Sequence, residues 1–136
     1  MWDEQIEYLH RQMDGLHDAI DRLEERRQQC EEALDRVDRE QVEYTETCSL
    51  QKRKAIELYD NFPKVRVARY CGLYSELLLD GCEYKKVICG FEELRESICM
   101  QKNQTEDDMQ ECYRQIAELE WQIAEVQRQR ELERIG

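Results

Sequence analysis

Apolar residues recur along this chain at alternating spacings of three and four, in two long stretches joined at a single proline. The first stretch runs from Trp2 to Phe62. Three polar residues interrupt it: Arg27, Gln41 and Gln51. An apolar repeat that averages 3.5 residues and persists this long is typical of a left-handed coiled-coil seam. The pattern therefore predicts one helix over about residues 2–60.

The second stretch repeats the pattern. Its seam opens with Tyr70, Tyr74, Leu77, Gly81 and Tyr84 and closes with Val126. Breakers are scarce, with five Gly and one Pro in 136 residues, and the abundant Glu, Gln, Arg, Leu and Ala favour helix. These features predict a second helix over about residues 67–133.

The turn between the helices is predicted at Asp60-Asn61-Phe62-Pro63. Pro63 cannot donate a backbone hydrogen bond to a continuing helix, and it disfavours helical geometry at Phe62. The two preceding residues are favourable turn or cap residues. The sequence therefore predicts an all-α fold, in which residues 1–136 form a single long antiparallel two-helix coiled-coil hairpin bent at about 60–66.

The position of the bend also predicts which residues face one another. A fold-back centred on residues 62–65 places Arg27 beside Lys102 and Trp2 beside Ile123. Gly72 is an alternative start for the second helix, so this boundary is predicted only to within several residues.

Between Tyr70 and Cys99 the apolar face of the second helix is wider than a two-helix seam requires. The flanking residues are Leu73, Leu78, Leu79, Cys82, Val87, Cys89 and Leu94. The extra width indicates either a third helical surface to bury or curvature of the hairpin near its bend. On the first interpretation, the partner-binding residues are Leu73, Leu77, Leu78, Val87, Phe91 and Leu94.

Charge limits the classes of partner. The net charge of −12 disfavours nucleic acid, because phosphate contacts need a basic surface. Residues 61–75 nevertheless hold Lys64, Arg66 and Arg69 without an acidic residue. We interpret this basic tip either as a solvated face or as a docking tip for an acidic partner.

The chain contains no apolar run long enough to span a membrane, since the longest is Leu77-Leu78-Leu79. Its first residues, Met1-Trp2-Asp3-Glu4, lack the basic and apolar regions of a signal peptide. These features predict a cytoplasmic protein. Its seven cysteines are then expected to be reduced, most of them filling small apolar positions.

Residues suited to catalysis or metal binding are not grouped in the sequence. His10 and His17 are seven residues apart, as are Cys82 and Cys89, which is too far for easy chelation of one ion. The carboxylates are expected on exposed helix faces, where nothing raises their pKa for acid–base work. We therefore expect no catalytic residue, no metal site and no cofactor, and we interpret the chain as a non-enzyme.

An aromatic-x-x-x-acidic pattern, Trp121-Gln122-Ile123-Ala124-Glu125, lies near the C-terminus. With this pattern and its acidic helical hairpin, the chain resembles the small WXG-like and LXG-associated helical-hairpin proteins of bacterial type VII secretion. Asn61-Phe62-Pro63 stands where that family has a Trp-x-Gly turn. The resemblance implies that Trp121 and Glu125 are secretion-signal-like residues.

The resemblance also implies a function. The protein would be a non-enzymatic targeting partner, or chaperone, that binds the helical N-terminal domain of a secreted toxin, or another helical hairpin. The face from Leu73 to Leu94 would bind that partner, and export of the protein itself by a signal-peptide-independent route is compatible with this role. The alternative is a self-assembling structural coiled-coil scaffold or tether, so homo- and hetero-oligomers are both compatible with the sequence.

Overall fold

The computed structural model describes the backbone of residues 1–136 and all side chains except those of residues 79 and 80. Along this backbone the chain forms α1 (Trp2–Asn61), α2 (Arg66–Asp80) and α3 (Cys82–Ile135). The predicted all-α helical hairpin is therefore confirmed. The second helix differs from the prediction, because Gly81 interrupts it between α2 and α3.

The connection between α1 and α2 occupies residues 62–65. The Phe62 N–H still donates to the Leu58 carbonyl (3.0 Å), and the Val65 N–H donates to the Phe62 carbonyl (3.1 Å), which closes the turn. Pro63 lies inside this turn rather than in α2. It contributes its carbonyl, which accepts a hydrogen bond from Nε of Arg69 (3.2 Å).

Gly81 interrupts the second helix but keeps two helical hydrogen bonds. Its N–H donates to the Leu77 carbonyl (3.0 Å) and its carbonyl accepts from the Lys85 N–H (3.1 Å). Its backbone is nevertheless extended, with φ −76° and ψ 161°. A Cβ atom at this position would lie 2.2 Å from the Leu77 carbonyl oxygen, so the local geometry requires glycine.

The helices pack within two compact units. The terminal unit comprises Met1–Glu31 and Met100–Gly136, in which the start of α1 packs against the end of α3. Its core cluster contains Ile20, Met109 and Ile116, which occupy the predicted seam. The two segments are antiparallel, since Asp3 pairs with Arg130 (2.6 Å) and Glu31 pairs with Lys102 (3.5 Å).

The predicted pairing of the two helices is displaced by several residues. Trp2 donates from Nε1 to Glu133, ten residues beyond the predicted Ile123, although Trp2 also lines a groove with Trp121 and Gln122. The charge of Arg27 interacts with Glu106, which is one turn beyond the predicted Lys102. A displacement of the same direction exists near the bend, where Tyr59 contacts Gly72.

The bend unit comprises Glu32–Cys99 and contains the end of α1, all of α2 and the start of α3. The rings of Tyr44 and Tyr84 stack with centroids 5.8 Å apart, and Phe91 packs against Tyr44 at 6.2 Å. Asp38 and Arg95 form an ion pair across the same two helices (2.8 Å). These contacts match the predicted seam of α3, which includes Tyr84 and Phe91.

Candidate functional site

The face of α2 that packs against α1 is lined by small residues. Ala68 and Ser75 are buried, and Gly72 lies against the ring of Tyr59. A Cβ atom on Gly72 would be 2.9 Å from Cδ2 of Tyr59, which is closer than normal packing allows. Small side chains therefore let α2 approach α1 closely.

This packing overturns the predicted seam of α2. Tyr70, Tyr74 and Leu77 were predicted to face α1, but all three are exposed. The buried positions are one residue further along the chain, at Ser75 and Leu78. A one-residue change corresponds to a rotation of about 100° about the helix axis, which is enough to move the predicted seam away from α1.

The bend at Gly81 explains why the heptad count failed in α2. From α2 into α3 the residues turned toward α1 are spaced by threes: Ser75, Leu78, Gly81 and Tyr84. Alternating spacings of three and four resume only after Tyr84. Because Gly81 is extended, the inward faces of α2 and α3 do not follow one continuous helical repeat.

The large apolar residues of α2 consequently point to solvent. Between 51% and 68% of each is exposed: Val67, Tyr70, Leu73, Tyr74 and Leu77. We call these five residues the outer face of α2. They span about a third of the helix circumference, and an exposed apolar stripe of this kind on a helix is a feature of interaction surfaces.

A groove runs beside the outer face, between α1 and α2. Its volume is about 410 Å³, and Ile56 and Tyr59 of α1 line it together with Leu73 of α2. Ser75 lies at its base, where the hydroxyl is satisfied by donating to the Gly72 carbonyl (2.6 Å). The groove therefore extends the apolar surface from α2 onto α1.

Charged residues border the outer face in a defined order. Arg66 and Arg69 are in the first turn of α2, and Glu76 is in its second half. The first turn contains no acidic residue and the last turn no basic one. This order is opposite to the one that the helix dipole favours, so the charges of α2 are not arranged to stabilise α2 alone.

The structure divides the six predicted partner-binding residues. Leu73 and Leu77 belong to the outer face, and Val87 and Leu94 are exposed on α3. Phe91 is half-buried against Tyr44. The prediction for Leu78 is wrong, because this side chain is turned inward and only 8% exposed; the flanking Leu79 lies outside the described side chains.

Three members of the outer face, Val67, Tyr70 and Tyr74, were not among the predicted partner-binding residues. The prediction placed both tyrosines in the seam because it extended the heptad repeat without a break. The signal that could have identified them is the stripe Ala68, Gly72, Ser75, whose small residues at spacings of four and three offer a closer packing surface.

The two secretion-signal-like residues lie in the terminal unit. Trp121 is 63% exposed, and with Trp2 and Tyr8 it lines an open groove there. Glu125 is half-buried, lines the same groove and pairs with Arg128 (2.8 Å). The indole of Trp121 is thus presented at the surface.

Polar residues within the terminal seam are compensated by carboxylates. Arg27 pairs with Glu24, and the hydrogen bond to Glu24 raises the pKa of the Arg27 guanidinium. Its Nε atom is buried and has no hydrogen-bond partner among the described residues.

On the outside of α3, hydrogen bonds from Arg114 and Gln115 lower the pKa of Glu111 to about 2.

In the bend unit, Tyr44 and Cys48 face the seam between the helices. Loss of hydration there raises the pKa of Tyr44, with a further contribution from its hydrogen bond to Cys48. Cys48 is buried, as is Cys30, whereas Cys82 and Cys89 are exposed. All seven cysteines carry free thiols.

Other candidate chemistry is dispersed. Among the residues whose side chains are described, no three His, Cys, Asp or Glu side chains converge as metal ligands would. None of the described helical segments combines the length and apolar character needed to cross a membrane.

Comparisons with protein-family models, curated proteins and solved structures found no match to this chain.

Proposed function

We propose that this chain is a non-enzymatic helical binding protein that packs the outer face of α2 against a helix of another protein. The observation that carries the proposal is the exposure of five large apolar side chains on one face of a 15-residue helix. Water contact with such a stripe is unfavourable. A partner helix whose apolar residues have the same periodicity would remove it from water.

The partner class that fits the sequence resemblance is the helical N-terminal domain of a type VII secreted toxin. In this role the chain acts as a targeting partner or chaperone, and the exposed Trp121 is available to a secretion machine. Two features support a helical occupant: the groove beside Leu73 extends the apolar surface onto Ile56 and Tyr59, and charged residues border the outer face without dividing its apolar centre.

The test is co-elution of the purified chain with the helical N-terminal domain of a candidate type VII toxin. We expect the native chain to shift the elution of the domain in size-exclusion chromatography. The double substitution Leu73→Ser and Leu77→Ser should abolish the shift, because it removes the centre of the apolar stripe. Tyr113→Ser is the matched control, since Tyr113 is a similarly exposed large residue in the terminal unit.

Two results would contradict the proposal in different ways. If the native chain does not alter the elution of the domain at high micromolar concentration, the toxin domain is not the partner. If the chain binds the domain and the double substitution leaves binding unchanged, then the outer face of α2 is not the binding surface.

A further inference from the structure

Two of the charged residues beside the outer face of α2 lie on one flank of that face, whereas Arg66 lies at its N-terminal end. Arg69 and Glu76 are seven residues apart, or two helical turns, so their side chains leave α2 on the same side. Both line the groove beside Leu73. Arg69 bonds the Pro63 carbonyl through Nε, which leaves the terminal nitrogens of its guanidinium as donors for another group.

A helix that packs antiparallel on α2 is favoured if its own flank carries an acid opposite Arg69 and a base opposite Glu76. A second α2 helix, packed antiparallel, meets this requirement, because its own flank presents the acid Glu76 and the base Arg69 in the required order. Antiparallel packing of two α2 helices therefore places Arg69 of each copy beside Glu76 of the other. It also brings each basic first turn, which opposes its own helix dipole, close to the C-terminal half of the other helix.

In the same antiparallel arrangement, the apolar residues of the two outer faces pack against one another. With Arg69 beside Glu76, Tyr70 of each copy lies opposite Leu73 of the other, at the centre of the contact. Val67 of each copy lies near Tyr74 of the other on the opposite flank. The same patch is used on both copies, as a two-fold symmetric interface requires.

A foreign helix with acidic residues along its length fits this flank less well. Such a helix would satisfy Arg69 but would place a like charge beside Glu76, which disfavours the contact. A uniformly basic helix has the converse difficulty at Arg69. The second copy meets both charges with opposite ones.

We propose that two copies of this chain pair through the outer faces of their α2 helices, in an antiparallel arrangement with two-fold symmetry. The inference rests on one part of the proposed function, the use of the outer face as a helix-binding surface, and goes beyond it by naming α2 of a second copy as a helix bound there. A two-fold contact of this kind closes on itself, so its product is a dimer and not an extended scaffold.

The test uses charge reversal and remixing of the full chain, followed by sedimentation equilibrium from low to high micromolar concentration. The native chain is expected to show a monomer–dimer equilibrium. Arg69→Glu alone places two acids together at both symmetric contacts, and Glu76→Arg alone places two bases together. Each single variant should raise the dimer dissociation constant at least about tenfold.

An equimolar mixture of the two single variants is the decisive sample. In a mixed dimer, the substituted chains again place an acid beside a base at both contacts, so the dimer should form at close to the native concentration. Loss of structure cannot imitate this rescue, and circular dichroism of each variant reports its helix content. Tyr113→Ser, at an exposed residue of the terminal unit, is the control that should dimerise like the native chain.

Several outcomes would overturn the self-pairing. These are a native chain that stays monomeric at high micromolar concentration, single variants that dimerise as the native chain does, a mixture that does not restore the dimer, or assemblies larger than two.

The failures of the two proposals are separable. A monomeric chain that still shifts the toxin domain through Leu73 and Leu77 contradicts only the self-pairing, whereas a dimer that rescues by charge reversal stands without any toxin domain.

Discussion

Gly72 of α2 lies against the aromatic ring of Tyr59 of α1, so closely that a methyl group on Gly72 would be 2.9 Å from Cδ2 of that ring. This contact sets how near the two helices approach in the bend unit. It turns Ala68 and Ser75 inward and leaves the larger apolar residues of α2 on the outside. The exposed face thus lies on the side of α2 opposite this close packing.

The contact predicts non-additive effects on stability. Gly72→Ala should give little net change or a loss, because the gain in helix propensity of about 1 kcal/mol is offset by displacement of the Tyr59 ring. In a Tyr59→Ala background, the same Gly72→Ala change should stabilise by about 1 kcal/mol. Urea unfolding of the four proteins in this double-mutant cycle measures the coupling. Equal effects of Gly72→Ala in both backgrounds would show that the ring does not restrict position 72.

The bend at Gly81 predicts that alanine has opposite effects at two glycines of the second helix. Gly81→Ala should destabilise, because its Cβ would lie 2.2 Å from the Leu77 carbonyl oxygen and the backbone must move. Gly90→Ala is the matched control. Since no atom lies within 4 Å of its Cβ position, it should stabilise α3 by about 0.5–1 kcal/mol. Stabilisation of similar size at both positions, measured by urea unfolding, would indicate that the bend is not required.

The terminal unit depends on a thin seam in which each buried residue contributes strongly. Ile116 is buried in a cluster with Ile20 and Met109, so Ile116→Ala should lower the free energy of unfolding by about 2–4 kcal/mol. Tyr113→Ala, one turn away at an exposed position, should change it by less than about 0.5 kcal/mol. Chemical denaturation of both variants is the measurement, and a similar loss in both would contradict the observed seam.

Glu111 predicts a pH dependence with a definite sign. Hydrogen bonds from Arg114 and Gln115 lower its pKa to about 2 from an ordinary value of 4.5. A carboxyl with a lowered folded-state pKa stabilises the protein above its unfolded pKa, and this contribution is lost as pH falls from 4.5 toward 2. The contribution is small, because the group is exposed and screened by solvent.

The measurement for Glu111 is a carboxyl titration by NMR, in the native chain and in Arg114→Ala. We expect the Glu111 pKa to rise in the variant, since the guanidinium is the main cause of the lowering. A Glu111 pKa that is already ordinary in the native chain would contradict the hydrogen-bond geometry.

Heptad spacing and the position of Pro63 predicted the helical elements but not the register between them. They identified α1, the seam of α3 from Tyr84 onward, and the antiparallel return after Pro63, because these depend on local helix periodicity and on the chemistry of one proline. The direction in which α2 faces was not predictable in the same way. It depends on how closely two helices can approach and on the extended backbone at Gly81, and neither is encoded in a repeat.

The candidate site shows the same division. Residue types and charge indicated an apolar region near a basic tip, and Leu73, which was predicted to flank the seam, is exposed there. Leu77 was predicted to lie in the seam, and its exposure contradicts that prediction. Only the tertiary structure turned Leu78 inward and Tyr70 and Tyr74 outward. The physical reason is that burial of a helix face is decided by the fit against its neighbour. Here the small residues around Gly72 fit against Tyr59 better than the larger ones.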